Sequence, residues 1–575
     1  MAELVPIPLP LLLRRAFLEY RGEGKIFDLP KSKFFLGLPG LDTSVSIHGR
    51  RAFTPVGPAA GPQGQMAQNI VLCWLAGARV IELKTVQILD ELQIPRPCID
   101  IPNVGYNVEW SQELKLEQSL REYVKAAMLI EILKTSKLLG ETPEGWGDTI
   151  FDMSVGYSLE GIRSPRMRRW LEGMKDARPV IDELRAGIGM YRDLPFPARI
   201  SDTASLSTFH GCPPGEIEGI VRFLLAEMDL DVCVKLNPTL LGLAEVDHIL
   251  HEILGYRHIQ LCPEASEKDL QWPEALDLIA GLDRFARARG RSLSVKFSNT
   301  LVVRNHRGVF KDELMYLSGA PLHPLAMLLV NRFRERMGDA VPISFSAGLD
   351  ANNIADAVAM NLIPATVCSD LLRPGGYGRM YKYLQNLGAR MRAAGAGAIP
   401  DFITRSAPPA ADLSRYSFER NRSVPRKTGS RLQLFDCINC DKCISSCPND
   451  ANFVYETPDG KRQIANFADA CNECGNCDVF CPEEGAPFLA KPRFFGSLES
   501  YRKHADQNGY YIDWAASRIY GTIGGRPYEL DADVGVGEAV APVYPYSQLQ
   551  LLYDSMRDSR RIHFANVAGI QEAPI

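Results

Sequence analysis

The chain has 575 residues, of which 46% are hydrophobic and 23% charged, and its formal net charge is −5. This composition is typical of a globular protein with about three or four domains. The sequence shows no basic excess of the kind that marks nucleic-acid binding. No apolar run reaches the ~18 residues that a membrane-spanning helix needs.

The N-terminal segment and the cysteine usage indicate the compartment. The apolar segment 4–13 contains three prolines, no basic region precedes it, and no small-residue cleavage site follows it, so we expect no signal peptide. Of the 14 cysteines, eight fall in two tight repeats and six stand singly. That usage is typical of metal sites in a reducing compartment rather than of disulfides. The sequence therefore predicts a cytoplasmic protein.

Residues 51–392 alternate short apolar runs with helical stretches, whereas residues 1–50 form an N-terminal extension without a clear pattern. The apolar runs are Arg79–Lys84, Val232–Leu236, Leu293–Phe297, Val341–Phe345 and Ala365–Cys368. The helical stretches are Glu113–Leu139, Gly215–Glu227, Leu322–Met337 and Tyr377–Leu387. This alternation predicts an α/β fold, a (β/α)8 TIM barrel with insertions. A doubly wound sheet is the alternative, but its usual glycine fingerprint does not follow the first strand.

The rest of the chain divides into three segments. Residues 393–431 are rich in alanine, proline and arginine, and we expect a linker, either a solvated tether or a partner-docking segment. Residues 432–490 hold the two cysteine repeats. Residues 491–575 are rich in tyrosine and glycine, and we expect a small C-terminal cap with some strand.

Residues 432–490 carry the most specific motif of the sequence. Each repeat has the spacing C-x2-C-x2-C-x3-C-P, and the eight cysteines are Cys437, Cys440, Cys443, Cys447, Cys471, Cys474, Cys477 and Cys481. The first three cysteines of a repeat bind one [4Fe–4S] cluster, and the fourth binds the other. The first cluster then takes Cys481 and the second takes Cys447. Structural zinc is the alternative, but a zinc site of paired C-x2-C units does not require the fourth cysteine of each repeat, which precedes proline and binds the other cluster.

Two clusters that carry single electrons need a redox partner within or beyond the chain. We expect FMN in the barrel, because it converts one-electron input to two-electron chemistry. Its phosphate would bind near Phe345–Asp350, Cys368–Asp370 or Pro374–Gly376, although these can also be plain turns after strands. The sequence shows no nucleotide-binding glycine fingerprint and no Walker loop, so a pyridine nucleotide would bind another chain.

Three side chains of the barrel region are further candidates for the active site. Lys84 and Lys235 each end an apolar run, where a barrel side chain faces the active site, although a surface lysine is the common case. Cys212 lies in a turn-rich loop and can act as a general acid, with His210 as its rival. The remaining single cysteines are expected to be small buried hydrophobes: Cys73, Cys98, Cys233, Cys262 and Cys368.

These motifs, in this order, resemble a known family over roughly residues 50–490. The barrel resembles the FMN domains of dihydropyrimidine dehydrogenase and class 1 dihydroorotate dehydrogenase. It is closer to the YgfK-type large subunit of the selenate reductase kind, which joins such a barrel to a ferredoxin-like 2×[4Fe–4S] module. The resemblance implies FMN contacts at Ala59, Ala60, Gly61, Lys84, Thr85, Lys235, Ala347, Gly348 and Ser369.

The resemblance also implies the substrate site. Asn107, in Asn107-Val108-Glu109, and the pair Asn299-Thr300 match the family's substrate-binding residues, and Cys212 matches its catalytic cysteine. Phe209 stands where the pyrimidine enzymes carry asparagine, three residues before that cysteine. The chain also lacks the FAD and NADPH domains of dihydropyrimidine dehydrogenase. The resemblance therefore implies a hetero-oligomer with a separate FAD- and NAD(P)-binding subunit, similar to the small chain of glutamate synthase.

Together these features predict an iron–sulfur flavoprotein oxidoreductase of the dihydropyrimidine dehydrogenase type. Electrons would pass between a partner subunit, two [4Fe–4S] clusters and FMN. The reaction would reduce or oxidise a C=C or C=N bond of a small, flat, polar and heterocyclic substrate. The alternative is a non-catalytic electron-transfer or scaffold subunit of a larger complex, such as a molybdenum-containing one. The sequence contains no DNA-binding or switch motif that would support a third function, redox sensing through the clusters.

Overall fold

The computed structural model describes residues 3–90, 92–108, 110–207, 211–407, 412–534 and 544–570. Three residues of the sequence motifs, Glu109, Phe209 and His210, lie outside these ranges. The chain divides into two compact units. The barrel unit comprises Lys33–Glu183 and Pro195–Val424, and the cysteine unit comprises Met1–Ser32, Leu184–Leu194 and Pro425–Ile575.

Eight parallel strands form the core of the barrel unit. In chain order they are β1 (Val56–Pro58), β2 (Val80–Glu82), β3 (Ile150–Val155), β4 (Thr203–Leu206), β5 (Asp231–Leu236), β6 (Leu293–Phe297), β7 (Ile343–Phe345) and β8 (Leu362–Val367). From β2 to β8 each strand pairs with the next in sequence, and β8 pairs with β1. Arg79 N donates to Val56 O at 3.0 Å, which brings β2 against β1 and nearly closes the sheet. The predicted TIM-barrel fold is confirmed.

Helices follow every strand of the barrel, as the sequence pattern indicates. They are Ala67–Leu75, Leu116–Thr135, Leu159–Arg163, Pro165–Lys175, Arg178–Leu184, Pro214–Ala226, Leu243–Asp247, Pro263–Lys268, Trp272–Arg287, Leu322–Met337, Ile354–Ala359, Arg379–Ala393, Ile399–Arg405 and Phe418–Asn421. The predicted helix Leu322–Met337 and the predicted strand Leu293–Phe297 have the observed bounds. All five side chains of that strand are buried, including the polar Ser294 and Lys296.

A small antiparallel sheet is inserted between the strands of the barrel. Its strands are Ile99–Asp100, Gly105–Asn107, Leu301–Arg304 and Leu314–Ser318. Asn107 pairs with Tyr316 in this sheet, and Asn299-Thr300 lies between β6 and the strand Leu301–Arg304. This inserted sheet therefore places the two predicted substrate-binding segments. A separate two-stranded sheet pairs Val45–Ile47 with Arg50–Ala52.

A six-stranded sheet organises the cysteine unit. Its strands are Asn452–Glu456, Arg462–Phe467, Arg493–Phe494, Gly509–Asp513, Arg518–Ile523 and Arg526–Asp531. A separate two-stranded sheet of this unit pairs Lys25–Ile26 with Leu29–Pro30. Its helices are Leu9–Glu23, Lys442–Ser445, Asn476–Phe480, Pro487–Ala490, Leu498–Lys503 and Tyr546–Asp558. Strands of the tyrosine-rich segment thus continue the sheet that starts next to the cysteines.

The N-terminal helix Leu9–Glu23 belongs to the cysteine unit through a buried arginine. Arg15 is fully buried, and its guanidinium contacts Asp450 at 2.5 Å, Asp28 at 3.2 Å and Glu19 at 3.3 Å. Burial alone would lower the pKa of Arg15, but the three carboxylates raise it above its ordinary value. Among the described residues, every helix is too short or too polar to span a lipid bilayer.

Candidate functional site

A cavity of about 930 Å³ opens at the carboxyl ends of the barrel strands. This volume lies in the ~300–1,000 Å³ range of small-molecule and cofactor pockets. All of the predicted FMN and substrate residues line it: Ala59, Ala60, Gly61, Lys84, Thr85, Asn107, Lys235, Asn299, Thr300, Ala347, Gly348 and Ser369. The structure thus brings together segments that are far apart in sequence.

Lys84 and Lys235 present two ammonium groups to this cavity. Lys84 Nζ donates to Trp110 O at 2.7 Å and lies 4.1 Å from the centre of the Trp110 ring. Lys235 Nζ donates to Ser207 Oγ at 3.2 Å. Burial lowers the pKa of each lysine to about 8, and Lys296 contributes to the lowering at Lys235. Both lysines are therefore cationic at neutral pH and lose their charge at mildly alkaline pH.

A third lysine, Lys296, was missed by the sequence reasoning. It is the Cα partner of Lys235 on the neighbouring strand, and only 1% of it is exposed. Its Nζ contacts Glu82 Oε2 at 2.5 Å and Thr366 Oγ1 at 2.9 Å. Burial would raise the pKa of Glu82, but Lys296 outweighs this and the pKa is lowered. The available sequence signal was a lysine near the end of a buried strand, as at Lys84 and Lys235.

Glu82 links this ion pair to the first loop of the barrel. Its Oε2 accepts the backbone N–H of Ala60 at 3.1 Å, and Ala60 lines the cavity. Asp152 is the Cα partner of Glu82 on the next strand and accepts the hydroxyl of Thr203 at 2.6 Å. Burial and the charge of Glu82 raise the pKa of Asp152 to about 6. Three lysines against these two carboxylates leave a cationic floor that favours an anionic ligand.

The loops after β7 and β8 provide a cradle with little side-chain bulk. Gly348 has φ +54°, and a Cβ there would lie 2.6 Å from Gly319 O. Ser369 Oγ and Ser318 Oγ are 2.8 Å apart at the same cavity. Backbone amides and hydroxyls at the ends of these strands are the groups that bind phosphate in barrels. These residues fit the phosphate of FMN, and the cationic floor fits an electron-rich ring.

The substrate residues lie on the inserted sheet and its connection to the barrel. Asn107, Asn299 and Thr300 are half-buried and line the cavity. Asn299 N donates to Leu236 O at 2.9 Å, which fixes the Asn299-Thr300 segment beside β5. Their amide and hydroxyl groups can donate and accept hydrogen bonds, as recognition of a polar ring requires. Cys368, expected to be a simple buried hydrophobe, also lines the cavity and is half-exposed.

Cys212, the predicted catalytic residue, does not line the cavity. It is 3% exposed, and burial raises the pKa of its thiol to about 12, with Glu216 adding to the effect. Gly211 N donates to Asp269 Oδ1 at 2.7 Å, which anchors the start of the described loop. The thiol is therefore protonated at neutral pH, as a proton donor must be. His210 and Phe209, its predicted neighbours in the site, lie outside the described residues.

The eight repeat cysteines form two groups in the cysteine unit. Cys437, Cys440, Cys443 and Cys481 line one small cavity, so the second repeat contributes one residue to the first group. In the other group, burial raises the pKa of Cys477, and the neighbouring Cys474, Cys447 and Cys471 add to it. Cys440 is exposed, whereas Cys471, Cys474 and Cys477 are buried. This grouping matches the crossed pattern of two [4Fe–4S] sites.

The spacing of the sulfur atoms differs from that of a zinc site. A tetrahedral zinc ion holds its thiolates about 3.8 Å apart, because each Zn–S bond is about 2.3 Å. In the described residues, one group of three or more donor atoms lies within 4.8 Å of one another, and it contains no cysteine. Among the described residues, the cysteines thus form no group of three sulfur atoms within 4.8 Å of one another.

That donor group consists of Asp28, Asp450 and His563. The Arg15 guanidinium already contacts both carboxylates, at 3.2 Å and 2.5 Å. The His563 ring stacks on Phe453 with 3.7 Å between centroids, and burial lowers its pKa well below the ordinary value. Arg15 therefore supplies the positive charge of this cluster, which holds the N-terminal helix in the unit.

Comparison with known proteins gives matches along much of the chain. A family model described as oxidoreductase YgfK, N-terminal TIM-barrel domain, matches residues 27–406. Over 405 residues the chain is 39% identical to YgfK of Escherichia coli strain K12 and to YgfK of strain O157:H7; each match covers 66% of this chain and 39% of the relative. The chain thus spans about two-fifths of the length of these curated relatives.

Two further matches cover other shares of the chain. A 57-residue match at 30% identity covers 10% of this chain and 72% of the ketoisovalerate oxidoreductase subunit VorC of Methanothermobacter marburgensis. The solved structure of ligand-free DHODH from Eimeria tenella aligns over 69% of this chain and 99% of its own, with a TM-score of 0.44 and 16% identity.

Proposed function

Because the chain belongs to the family of the oxidoreductase YgfK N-terminal TIM-barrel domain, we propose that it is an iron–sulfur flavoprotein subunit whose barrel binds FMN. It reduces or oxidises a C=C or C=N bond of a small, flat, polar and heterocyclic substrate. The observation that carries this proposal is the single cavity that gathers every predicted flavin and substrate residue above a cationic floor.

The residues of the cavity divide into two sets by their chemistry. Gly348 and Ser369 would hold the FMN phosphate, and Lys84 and Lys235 would face the ring, where positive charge stabilises its reduced form. FMN, when bound, supplies hydride to the substrate and exchanges single electrons with iron–sulfur clusters. Trp110 holds Lys84 in place through its carbonyl and its ring.

On the substrate side, the chain provides hydrogen bonds and a proton. Asn107, Asn299 and Thr300 orient the ring of the substrate, and buried contacts of this type discriminate strongly between ligands. Cys212 donates the proton from its Sγ, because its thiol is protonated at neutral pH. In the described structure Cys212 lies off the cavity, so the proposal requires its loop to close over the bound substrate.

The cysteine unit would hold two [4Fe–4S] clusters that pass electrons to or from a partner. The supporting observation is the crossed grouping of the eight cysteines. The partner is a separate FAD- and NAD(P)-binding subunit, similar to the small chain of glutamate synthase. The functional protein is then a cytoplasmic hetero-oligomer.

A non-catalytic electron-transfer or scaffold subunit is the second candidate function. The position of Cys212 outside the cavity lining favours it, since the predicted general acid has no direct access to a ligand there. In this case the reaction on the substrate would take place on another subunit of the complex.

Two measurements test the proposed function. Anaerobic purification of the full chain should yield FMN together with iron and acid-labile sulfide in the ratio of two [4Fe–4S] clusters. Iron without FMN would contradict the flavoprotein proposal.

For the complex, Cys212→Ala should lower turnover by about 100-fold or more, the usual contribution of a general acid. Unchanged turnover would instead favour the scaffold.

A further inference from the structure

The loop Ser346–Asp350 after β7 has its carbonyl groups fixed by two buried side chains. His323, on the helix Leu322–Met337, contacts Ala347 O through Nδ1 at 2.9 Å. Asn353 donates its Nδ2–H to Gly348 O at 2.9 Å. His323 and Asn353 are 9% and 2% exposed. Two consecutive carbonyl groups of the loop thus point towards the protein interior.

The peptide geometry decides where the following N–H groups point. In a planar trans peptide, the C=O of one residue and the N–H of the next point in opposite directions. The N–H groups of Gly348 and Leu349 therefore point away from His323 and Asn353. Both residues line the cavity, and Gly348 has the left-handed φ of +54°. Successive N–H groups in such a conformation form an anion-binding nest.

The two side chains are themselves held in one orientation. The His323 ring stacks on Tyr416 with 4.4 Å between centroids and an angle of 14°. The Tyr416 hydroxyl accepts from Asn353 Nδ2 at 3.2 Å, and Asn353 Oδ1 accepts the N–H of Asp350 at 2.8 Å. Burial lowers the pKa of His323 to about 4, so the ring is neutral at physiological pH. Its Nδ1 must carry the hydrogen, because a carbonyl only accepts.

The geometry points to His323 and Asn353 as positioning residues that turn the Gly348 and Leu349 amides towards the phosphate of the bound cofactor. Neither side chain lines the cavity. This inference rests on the proposed function, since it takes FMN as the ligand. The chemistry that it requires is narrower: a phosphate group at the loop after β7.

The test compares ligands with and without a phosphate on the full chain. His323→Leu removes the donor to Ala347 O, whereas His323→Asn keeps an N–H near the position of Nδ1. We expect His323→Leu to weaken FMN binding by about tenfold or more, the effect of one lost buried hydrogen bond. Riboflavin binding should change less than about twofold, and His323→Asn should restore most of the FMN affinity. Flavin fluorescence quenching measures both affinities.

A matched variant controls for general loss of stability. Ser344 lies in β7, the strand that precedes the loop, and does not line the cavity. Ser344→Ala removes the buried hydrogen bond from the Ser344 hydroxyl to Pro364 O on β8. It should lower the midpoint of thermal unfolding while leaving FMN affinity unchanged. The inference is overturned if His323→Leu binds FMN as the unmodified chain does, or loses FMN and riboflavin equally.

A second measurement separates this inference from the proposed function. Inorganic phosphate should raise the thermal unfolding midpoint of the unmodified chain and should have less effect on His323→Leu. If phosphate shows this difference but FMN does not bind, the positioning role stands and the proposed cofactor is wrong. If neither phosphate nor FMN binds the unmodified chain, both are wrong.

Discussion

Lys296 and Glu82 form an ion pair that solvent does not reach, with side chains 1% and 3% exposed. Removing one member leaves the other charge buried and unpaired. We expect Lys296→Met to lower the free energy of unfolding by about 3–5 kcal/mol. The double variant Lys296→Met/Glu82→Gln should recover a large part of that loss, because it removes both charges of the pair. Urea unfolding measures the free energy of unfolding of both variants. An equal loss in the two would contradict the idea that Lys296 neutralises the buried charge of Glu82.

Titration of the two cavity lysines makes ligand binding depend on pH. Burial holds the pKa of Lys84 and Lys235 at about 8, and a bound anion stabilises the ammonium form and raises both values. FMN affinity should therefore be constant between about pH 7 and pH 8, where the FMN phosphate has lost its second proton (pKa about 6), and should fall above pH 8 by up to about tenfold per pH unit for each lysine. Calorimetry near pH 8.5 should detect proton uptake on binding. Lys84→Met and Lys235→Met should each flatten the profile; an affinity that rises with pH would exclude this electrostatic role.

At the level of single residues, sequence reasoning located side chains that end strands and missed those whose role depends on a distant partner. Lys84 and Lys235 end apolar runs, so their place at the cavity followed from the barrel. Lys296 holds the same place in its run as Lys235, but its partner Glu82 is 214 positions away and could not be identified from the sequence. His323 acts through one carbonyl of a loop that no local pattern connects to it. Such pairings arise from tertiary structure and leave no short-range pattern.

The loop after β7 provides a prediction at the scale of one element. Gly348→Ala places a Cβ on a left-handed residue, which costs about 1–2 kcal/mol, and brings it against Gly319 O. We expect a lower unfolding free energy together with loss of FMN binding. Gly290→Ala is the matched control, because Gly290 has φ +67° and open space around it. The Gly290→Ala variant should have a lower free energy of unfolding but unchanged FMN binding. Normal FMN binding by Gly348→Ala would argue against phosphate at this loop.

Strand prediction found β2, β5, β6, β7 and β8, and it missed β3 and β4, which carry polar side chains into the barrel. β6 was found although it contains Ser294 and Lys296; β3 contains Asp152 and Ser154, and β4 contains Thr203 and Ser205. Those side chains satisfy one another, as in the hydrogen bond from the Ser205 hydroxyl to Asp152 at 2.5 Å. A buried polar network therefore hides a strand from any search for continuous hydrophobicity.

The crossed arrangement of the cysteines can be tested on the whole protein. Cys481→Ser should abolish the cluster of the first repeat, so its spectra should resemble those of Cys440→Ser and not those of Cys474→Ser. Each variant should retain about half of the iron. Cys262→Ser, a cysteine of the barrel unit outside the repeats, should retain all of it. Electron paramagnetic resonance of the reduced proteins and iron analysis provide the readouts. An uncrossed pairing would make Cys481→Ser match Cys474→Ser instead.

At the scale of the molecule, the barrel followed from the alternation of strands and helices, and the cysteine spacing indicated a metal-binding module. The membership of the N-terminal helix did not follow from the sequence. Its contacts with that module join residues far apart in the chain, as in the ion pairs of Arg15 with Asp450 and of Glu23 with Arg561. The tyrosine-rich strands likewise join the sheet near the cysteines by backbone pairing, which has no side-chain signature.

The contact between Arg15 and Asp450 spans 435 positions of the chain. During translation at about 5–20 residues per second, the N-terminal helix therefore waits roughly 20–90 s before its partner leaves the ribosome. The whole barrel is synthesised within that interval and can fold first. The cysteine unit can be completed only after the barrel has been synthesised, and a nascent chain stalled before Asp450 would expose an unpaired helix to chaperones and proteases.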